Sequence, residues 1–362
     1  MAMPWHGSAA TNSPWSPIWG GDGPEAASHL ACRLVAALRP PFALDEATVQ
    51  LGCSIGVALA PQDTEIPETM IRRAARALAR AKAEGGGCFR FFDADLDACL
   101  RARILFETEL RGAVARDELV PYFQPVMDLA SGRLAGFEML ARWPHPARGM
   151  VPPKEFIAMA EDIGLIAALT EGLLRRACRA AAAWPEGLLV AVNVSSLQLR
   201  SHVLAGMVRT VLEETGLPPH RLEIELTESA LIDDFDLARE IVGSLAALGV
   251  RLVLDDFGTG YSSLARLQAL RFNKLKIDAS FVSAMTRDPD SHKIVAAVVG
   301  LGQSLRLQTV AEGVEEQAQA DALARLGCDG GQGWLFGRPV PAEAVPWLIR
   351  QATPPNGVLG LA

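Results

Sequence analysis

Two hydrophobic rhythms alternate along most of the chain. Short apolar runs of strand length fall at Tyr122–Met127, Leu134–Leu140, Leu188–Val194, Leu222–Leu226, Val250–Leu254, Leu275–Ile277 and Leu307–Val310, with a weaker glycine-rich run near Gly331–Phe336. Between them lie stretches whose apolar residues recur at helical spacing. A strand, a helix and a strand at this interval predict parallel pairing, and eight repeats over about 235 residues match the size of a (β/α)8 barrel. A doubly wound open sheet shares the alternation, but its G-x-G-x-x-G turn after the first strand is absent. The expected fold class is therefore α/β, a TIM-like barrel preceded by a smaller, partial α/β region.

That smaller region is predicted from its own punctuation. Ser28 can cap a helix through Leu30, Leu34, Val35 and Leu38, which Pro40-Pro41 stops. Val49–Ala60 reads as a strand with small Gly52, Gly56 and Ala58 where something packs closely. A second helix opens near Pro67 and ends at Gly85-Gly86-Gly87, and Cys88–Phe92 reads as a short strand. The piece holds too little sheet to be comfortable alone. A charged helical stretch then joins it to the barrel, while dense Pro and Gly leave both ends irregular. The predicted division is a disordered leader 1–27, the partial region 28–93, a linker helix 94–115, the barrel 116–351 and a disordered tail 352–362.

Composition narrows the partners. The 34 basic and 42 acidic residues give a net charge of −8, which argues against binding long nucleic acid or an anionic membrane surface. No apolar run approaches the ~20 residues that span a bilayer, so no membrane insertion is expected. Met1–Trp15 has neither a basic nor an apolar export region, which points to the cytoplasm. The six cysteines form no C-x-x-C pair, so free and mostly buried thiols are expected.

The acids sit where a barrel does chemistry. Glu138 lies late in its strand, Asn193 and Glu225 end theirs, Asp255-Asp256 follow Leu252-Val253-Leu254, and Glu312 follows Thr309-Val310-Ala311. In a barrel all of them point to the C-terminal rim, where active sites are assembled from different strand ends. An oxygen-only donor set without Cys or His suits Mg2+ or Mn2+ rather than zinc. Glu138, Glu225, Asp255 and Asp256 carry a charge that two divalent ions would balance, and an adjacent Asp pair suits a bridge between metals ~3.5–4 Å apart, as used in phosphodiester attack. Any one of these acids alone reads equally as a helix cap or turn former; five oxygen ligands on successive strand ends do not. Lys276, on a strand end, either snorkels or positions a nucleophilic water or a phosphate oxygen beside metals. Gly258–Ser263 reads as a flexible loop or a simple turn, and His145 between two prolines as a turn residue.

With these residues in view, Leu110–Ile349 resembles the EAL family of cyclic di-GMP phosphodiesterases. The naming motif stands here as Glu138-Met139-Leu140, followed by Ala141-Arg142-Trp143. The resemblance extends over Phe123-Gln124-Pro125-Val126, Asn193-Val194-Ser195, Glu225-Leu226-Thr227-Glu228, Asp255–Leu264, Leu275-Lys276-Ile277-Asp278, Ala311–Glu315 and Gln332-Gly333. It implies hydrolysis of cyclic di-GMP, a bacterial second messenger, to linear pGpG in a barrel whose first strand runs antiparallel. By this resemblance Glu138, Asn193, Glu225 and Asp255 hold one metal, and Asp255 and Asp256 the second. Lys276 holds or polarises the attacking water, with Glu312 and Gln332 nearby. Gln124, Arg142 and Gln332 contact substrate, Arg142 at a phosphate. Glu228 braces the loop that begins at Phe257, through which the family forms a homodimer.

The first region resembles the C-terminal half of a GGDEF diguanylate cyclase domain, on Cys53–Pro61, the helix Arg73–Gly85 and the strand ending Phe91-Phe92. The half that would hold GTP is missing and Gly20-Gly21-Asp22 continues as Gly23-Pro24, so the region reads as truncated and degenerate, without cyclase activity. Its lost strands leave an exposed sheet edge, which fits a remnant, a pairing surface or a misassigned start codon. Two other functions compete with the hydrolase. A silent cyclic di-GMP receptor would need a lost metal ligand, and none is visible. A general nuclease would need a basic surface for long strands.

Overall fold

The computed structural model describes residues 23–44, 47–49, 51–231, 235–258, 267 and 269–351. The chain divides into two compact units, residues 1–109 and 110–362. No helix among the described residues is long and apolar enough to cross a membrane.

The first unit contains the helix Gly23–Ala37, an antiparallel pair β1 (Phe42–Leu44) and β2 (Ala47–Val49), and a parallel pair β3 (Ile55–Val57) and β4 (Phe89–Phe91) joined through the helix Pro67–Ala83. Ala31, Phe89, Phe91 and Leu100 form its core, with Ile55, Val57 and Leu59 packed against them. A Cβ at Gly56 would lie 2.1 Å from the Ala74 carbonyl, so only glycine lets the helix rest directly on β3.

Two expectations change here. The first helix begins at Gly23, not Ser28, and Ser28 is buried within it. Proline is tolerated in a first turn, where its missing N–H has no helical partner to lose, so Pro24 opens the helix rather than excluding it. Residues 23–27 are thus helical instead of leader, and the leader's other residues lie outside those described, as does the tail 352–362. Of the long strand expected over Val49–Ala60, Val49 ends β2 and Ile55–Val57 form β3, because a ladder runs no further than its partner and β4 supplies three residues. The charged stretch forms one helix, Ala94–Ala115, and the division between the units falls inside it.

The second unit is the barrel. Its strands are β5 (Val120–Asp128), β6 (Leu134–His145) with the short β7 (Gly149–Val151), β8 (Leu189–Asn193), β9 (Leu222–Thr227), β10 (Arg251–Phe257), β11 (Lys274–Ile277), β12 (Gln308–Ala311), β13 (Gly330–Gln332) and β14 (Val340–Pro341). Their order runs β5, β13, β12, β11, β10, β9, β8, β6 and back to β5, which closes a sheet of eight, while β7 and β14 add to its ends. Seven of the expected runs are strands along most of their length, while the eighth, expected near Gly331–Phe336, is a strand only over Gly330–Gln332 and turns at Gly333. β5 is antiparallel to both β6 and β13, and the other barrel pairs are parallel. The turn explains the exception: between Asp128 and Leu134 the chain is too short for a helical crossover, so it forms a hairpin. Asp128 Oδ1 accepts from Ser131 N at 2.7 Å and Gly132 N donates to the Asp128 carbonyl at 2.9 Å.

The two-residue period of a strand then sorts side chains. Ile224, Leu226, Leu252, Leu254, Leu275 and Ile277 are fully buried on one face. Helices such as Ile166–Ala182 and Phe235–Ala247 bury Leu169, Leu173, Ile241 and Leu245 in turn. The alternating set, Glu223, Glu225, Lys274 and Lys276, faces the barrel interior, where it lines one small cavity with Gln332. All six cysteines are free, but only Cys178 and Cys328 are buried; Cys32, Cys53 and Cys88 are half-buried and Cys99 is exposed, so the thiols are not mostly buried.

Candidate active site

Strand register carries the acids to one level. Glu138 of β6 stands opposite Gln124 of β5, Asn193 of β8 opposite Glu225 of β9, and Lys276 of β11 opposite Val310 of β12. Because each of these strands except β5 runs the same way, the late positions meet at the C-terminal end of the barrel.

At the centre is Lys276, 2% exposed. Its Nζ lies 2.5 Å from Glu312 Oε1, 2.9 Å from Glu225 Oε2, 3.3 Å from Glu138 Oε2 and 3.6 Å from Asp255 Oδ2. The expected alternative, a lysine snorkelling to water, is therefore not what the side chain does. Asn193 Nδ2 donates to Glu138 Oε1 at 2.6 Å, and Gln332 Nε2 donates to Glu138 Oε2 at 2.6 Å and to Gln124 Oε1 at 3.1 Å. Glu138 is thus held from three sides. Asp255, Asp256 and Glu312 bring one carboxylate oxygen each within 4.8 Å of one another, an arrangement able to hold a cation. Asp256 reaches that position with φ at 55°, in the left-handed region, and its N–H donates to Asp255 Oδ1 at 2.9 Å.

Crowded buried acids shift one another. Burial alone would lower the Lys276 ammonium, but Glu138, Glu225, Glu312 and Asp255 around it hold it well above its usual value. Burial pushes Glu225 well above the carboxylate range, and the neighbouring Glu138 adds to this. Burial also raises Asp255, and it raises Asp256 together with the charge of Asp255. Glu312 is pushed up by burial to about 7, against the pull of Lys276. Glu138 moves the other way: burial would raise it, yet Lys276 and the Gln332 and Asn193 donors hold it below its usual value. More negative charge is gathered here than Lys276 balances, and protons or bound cations must supply the rest.

The remaining expected residues surround this cluster. Arg142 stands apart from the hydrogen-bonded core of the site: its Nη1 donates to the Ala141 carbonyl at 2.9 Å and its guanidinium lies 5.7 Å from the Tyr122 ring. Glu228 is buried, and Gly258 N donates to its Oε2 at 3.4 Å, at the start of the loop it was expected to brace. Thr259–Ser263 of that loop lie outside the described residues. His145 is a turn residue, with Nδ1 accepting from Ala147 N and Arg148 N at 3.1 and 3.2 Å.

A second charged tier went unread in the sequence. Below Lys276, Lys274 Nζ donates to Glu223 Oε2 at 2.7 Å, and Arg251 Nε lies 3.2 Å from Glu223 Oε1. The signal was present: Glu223-x-Glu225 and Lys274-x-Lys276 repeat the strand period, so both members of each pair face inward.

Comparison with known proteins agrees with this geometry. The EAL domain model matches residues 107–339 and the GGDEF diguanylate cyclase model residues 21–88. An uncharacterised signalling protein of Caulobacter vibrioides is 46% identical over 91% of this chain and 40% of its own length. The bifunctional diguanylate cyclase/cyclic di-GMP phosphodiesterase MucR of Pseudomonas aeruginosa is 39% identical over 88% of this chain and 47% of its own. The chain thus spans less than half the length of these relatives. A solved structure of the MucR phosphodiesterase in complex with c-di-GMP is 42% identical, with a TM-score of 0.64, and covers 66% of this chain and 98% of its own.

Proposed function

The chain belongs to the EAL domain family, and from that membership we propose that it hydrolyses cyclic di-GMP to linear pGpG with two divalent ions, Mg2+ or Mn2+. The observation that carries the reading is the cluster itself: Asp255, Asp256 and Glu312 within 4.8 Å of one another, beside a buried Lys276 that four carboxylates surround. The donor set fits hard divalent ions, since every candidate ligand is a carboxylate or amide oxygen. Glu138, Asn193, Glu225 and Asp255 would hold one ion, and Asp255 and Asp256 the other. Such ions, when bound, activate water as a nucleophile and neutralise phosphate oxygens.

The chain's own groups do the positioning. Gln332 and Asn193 fix both oxygens of Glu138, which orients that ligand without recruiting a further charge. Lys276 Nζ, an obligate donor here, orients the attacking water or steadies a phosphate oxygen. Glu312, whose Oε1 lies 2.5 Å from Lys276 Nζ, shares with the lysine the positioning of that water. Arg142 and Gln124 would contact the substrate, Arg142 at a phosphate. Glu228 ties the start of the Phe257 loop to the barrel, and family membership carries the expectation of a homodimer through that loop and of work in the cytoplasm. The receptor reading requires a missing acid, and the sequence keeps each acid of the set. The GGDEF-type region carries no cyclase proposal.

Chromatography of cyclic di-GMP incubated with the protein and Mg2+ or Mn2+ tests the reading. Conversion to pGpG is expected, and Glu138→Ala and Asp255→Ala should each retain less than about a tenth of it, since losing a ligand or its support commonly costs ~10–100-fold. An inactive parent, or variants that keep most of their turnover, would refute it.

A further inference from the structure

Carboxylates and a lysine address phosphate and water, whereas a cyclic dinucleotide also presents two purines. Trp334, two residues beyond Gln332 at the C-terminal rim, is 57% exposed. The turn that carries it is held at both ends. Val314 N donates to the Gln332 carbonyl at 3.0 Å, Leu335 N to the Val314 carbonyl at 3.1 Å, and Phe336 N and Gly337 N to the Gly333 carbonyl at 3.1 Å. Gln124 Nε2 donates to the Gly337 carbonyl at 3.1 Å and Gln124 Oε1 accepts from Gln332, so the turn is tied through Gln124 to the glutamine that donates to Glu138. A Cβ at Gly333 would fall 2.1 Å from the Val314 carbonyl, which leaves no room for the turn to carry another residue there. The Arg338 guanidinium lies 4.4 Å from the centroid of the indole.

An indole kept open to solvent on a rigid turn, with a cation on its face, is an arrangement for stacking a planar base. We propose that Trp334, with Arg338, is the platform on which one guanine of the substrate stacks, and that this contact sets affinity rather than the chemical step. The inference rests on the phosphodiesterase reading and deepens it. Stacking a base on an aromatic residue contributes ~1–3 kcal/mol, equivalent to roughly 5- to 150-fold in affinity.

Steady-state kinetics with cyclic di-GMP and Mn2+, together with equilibrium binding of the same nucleotide, tests it on the full chain. Trp334→Ala should raise KM and Kd roughly 5- to 150-fold with kcat within about twofold, because a contact made equally in ground and transition states changes KM alone. Trp334→Phe should retain most of the affinity, and neither variant should shift the half-activating Mn2+ concentration. Unchanged KM and Kd in Trp334→Ala beside an active parent would overturn the platform and leave the hydrolase reading standing. A fall in kcat at constant KM would overturn it too, by assigning the indole to support of the rim. A parent that neither binds nor cleaves cyclic di-GMP would overturn both.

Discussion

Replacing Lys276 by methionine keeps the length of the side chain and removes its charge from the centre of the acidic cluster. In the parent the ammonium lies 2.5 Å from Glu312, 2.9 Å from Glu225, 3.3 Å from Glu138 and 3.6 Å from Asp255. With the lysine only 2% exposed, water is poorly placed to take over these contacts. Removing one partner of a buried pair costs ~3–5 kcal/mol. Four acids lose the same partner here, but proton uptake limits the damage, so the upper end of that range, about 5 kcal/mol, is expected. At ~2–4 °C per kcal/mol for a domain of this size, Tm in EDTA should fall by about 10–20 °C. Adding Mn2+ supplies the missing positive charge, and ligand at ~100 times its Kd contributes ~2.7 kcal/mol, so Mn2+ should raise the variant's Tm by more than the parent's. Calorimetric scans in EDTA and in Mn2+ read both effects. A variant melting within about 2 °C of the parent in EDTA would show that Lys276 is not the counter-ion of the cluster.

Asp256→Gly should separate stability from activity. A left-handed φ costs an ordinary residue ~1–2 kcal/mol that glycine escapes, so Tm in EDTA should rise by about 2–8 °C while turnover of cyclic di-GMP falls at least ~10-fold; a lower Tm would contradict the strain. The pH dependence follows from Glu312, whose folded value of about 7 exceeds its ordinary 4.5. The folded protein holds this proton more tightly than the unfolded chain, so the stabilisation is complete below pH 4.5 and is lost as pH rises through about 7. Urea midpoints of metal-free parent and Glu312→Gln should therefore diverge as pH rises from about 4.5 to 7, the parent losing stability that the variant keeps. Parallel curves would refute the assignment.

The strands and their end residues were legible because each rests on local pattern. Each of the eight apolar runs contributes a barrel strand, the last only at its first residues, and the acids late in the strands meet at one level because parallel strands share a direction. What stayed hidden depends on partners that a sequence does not display. Val49–Ala60 has strand chemistry throughout, yet only Ile55–Val57 finds a parallel neighbour in Phe89–Phe91. Ser28 has the chemistry of a cap, but the helix had already begun at Gly23, with Pro24 in its first turn. Lys276 read alone fits a snorkelling side chain as well as a catalytic one; only closure of the sheet surrounds it with acids of β6, β9 and β10 and with Glu312, just past β12. Trp334 carried no periodic signal at all, since its meaning lies in a turn fixed by Val314 and Gln124.

The same closure explains why the interior holds charge in two tiers. Residues at i and i+2 of a strand share a face, so once Glu225 and Lys276 point inward, Glu223 and Lys274 must follow them into the barrel. An unpaired charge at that depth would be costly, and the lower tier resolves it among its own members: Lys274 and Arg251 both meet Glu223, and Arg251 Nη2 also donates to Gln308 Oε1 at 2.8 Å. The upper tier has no such balance, because Glu138, Glu225, Asp255 and Glu312 share the one ammonium of Lys276. Burial therefore lifts Glu225, Asp255 and Glu312 toward their protonated forms, and divalent ions that bind there must displace those protons. The lower tier gives its one acid two cations, and the upper tier is left short of positive charge at the rim, where a cation and a phosphodiester can arrive together.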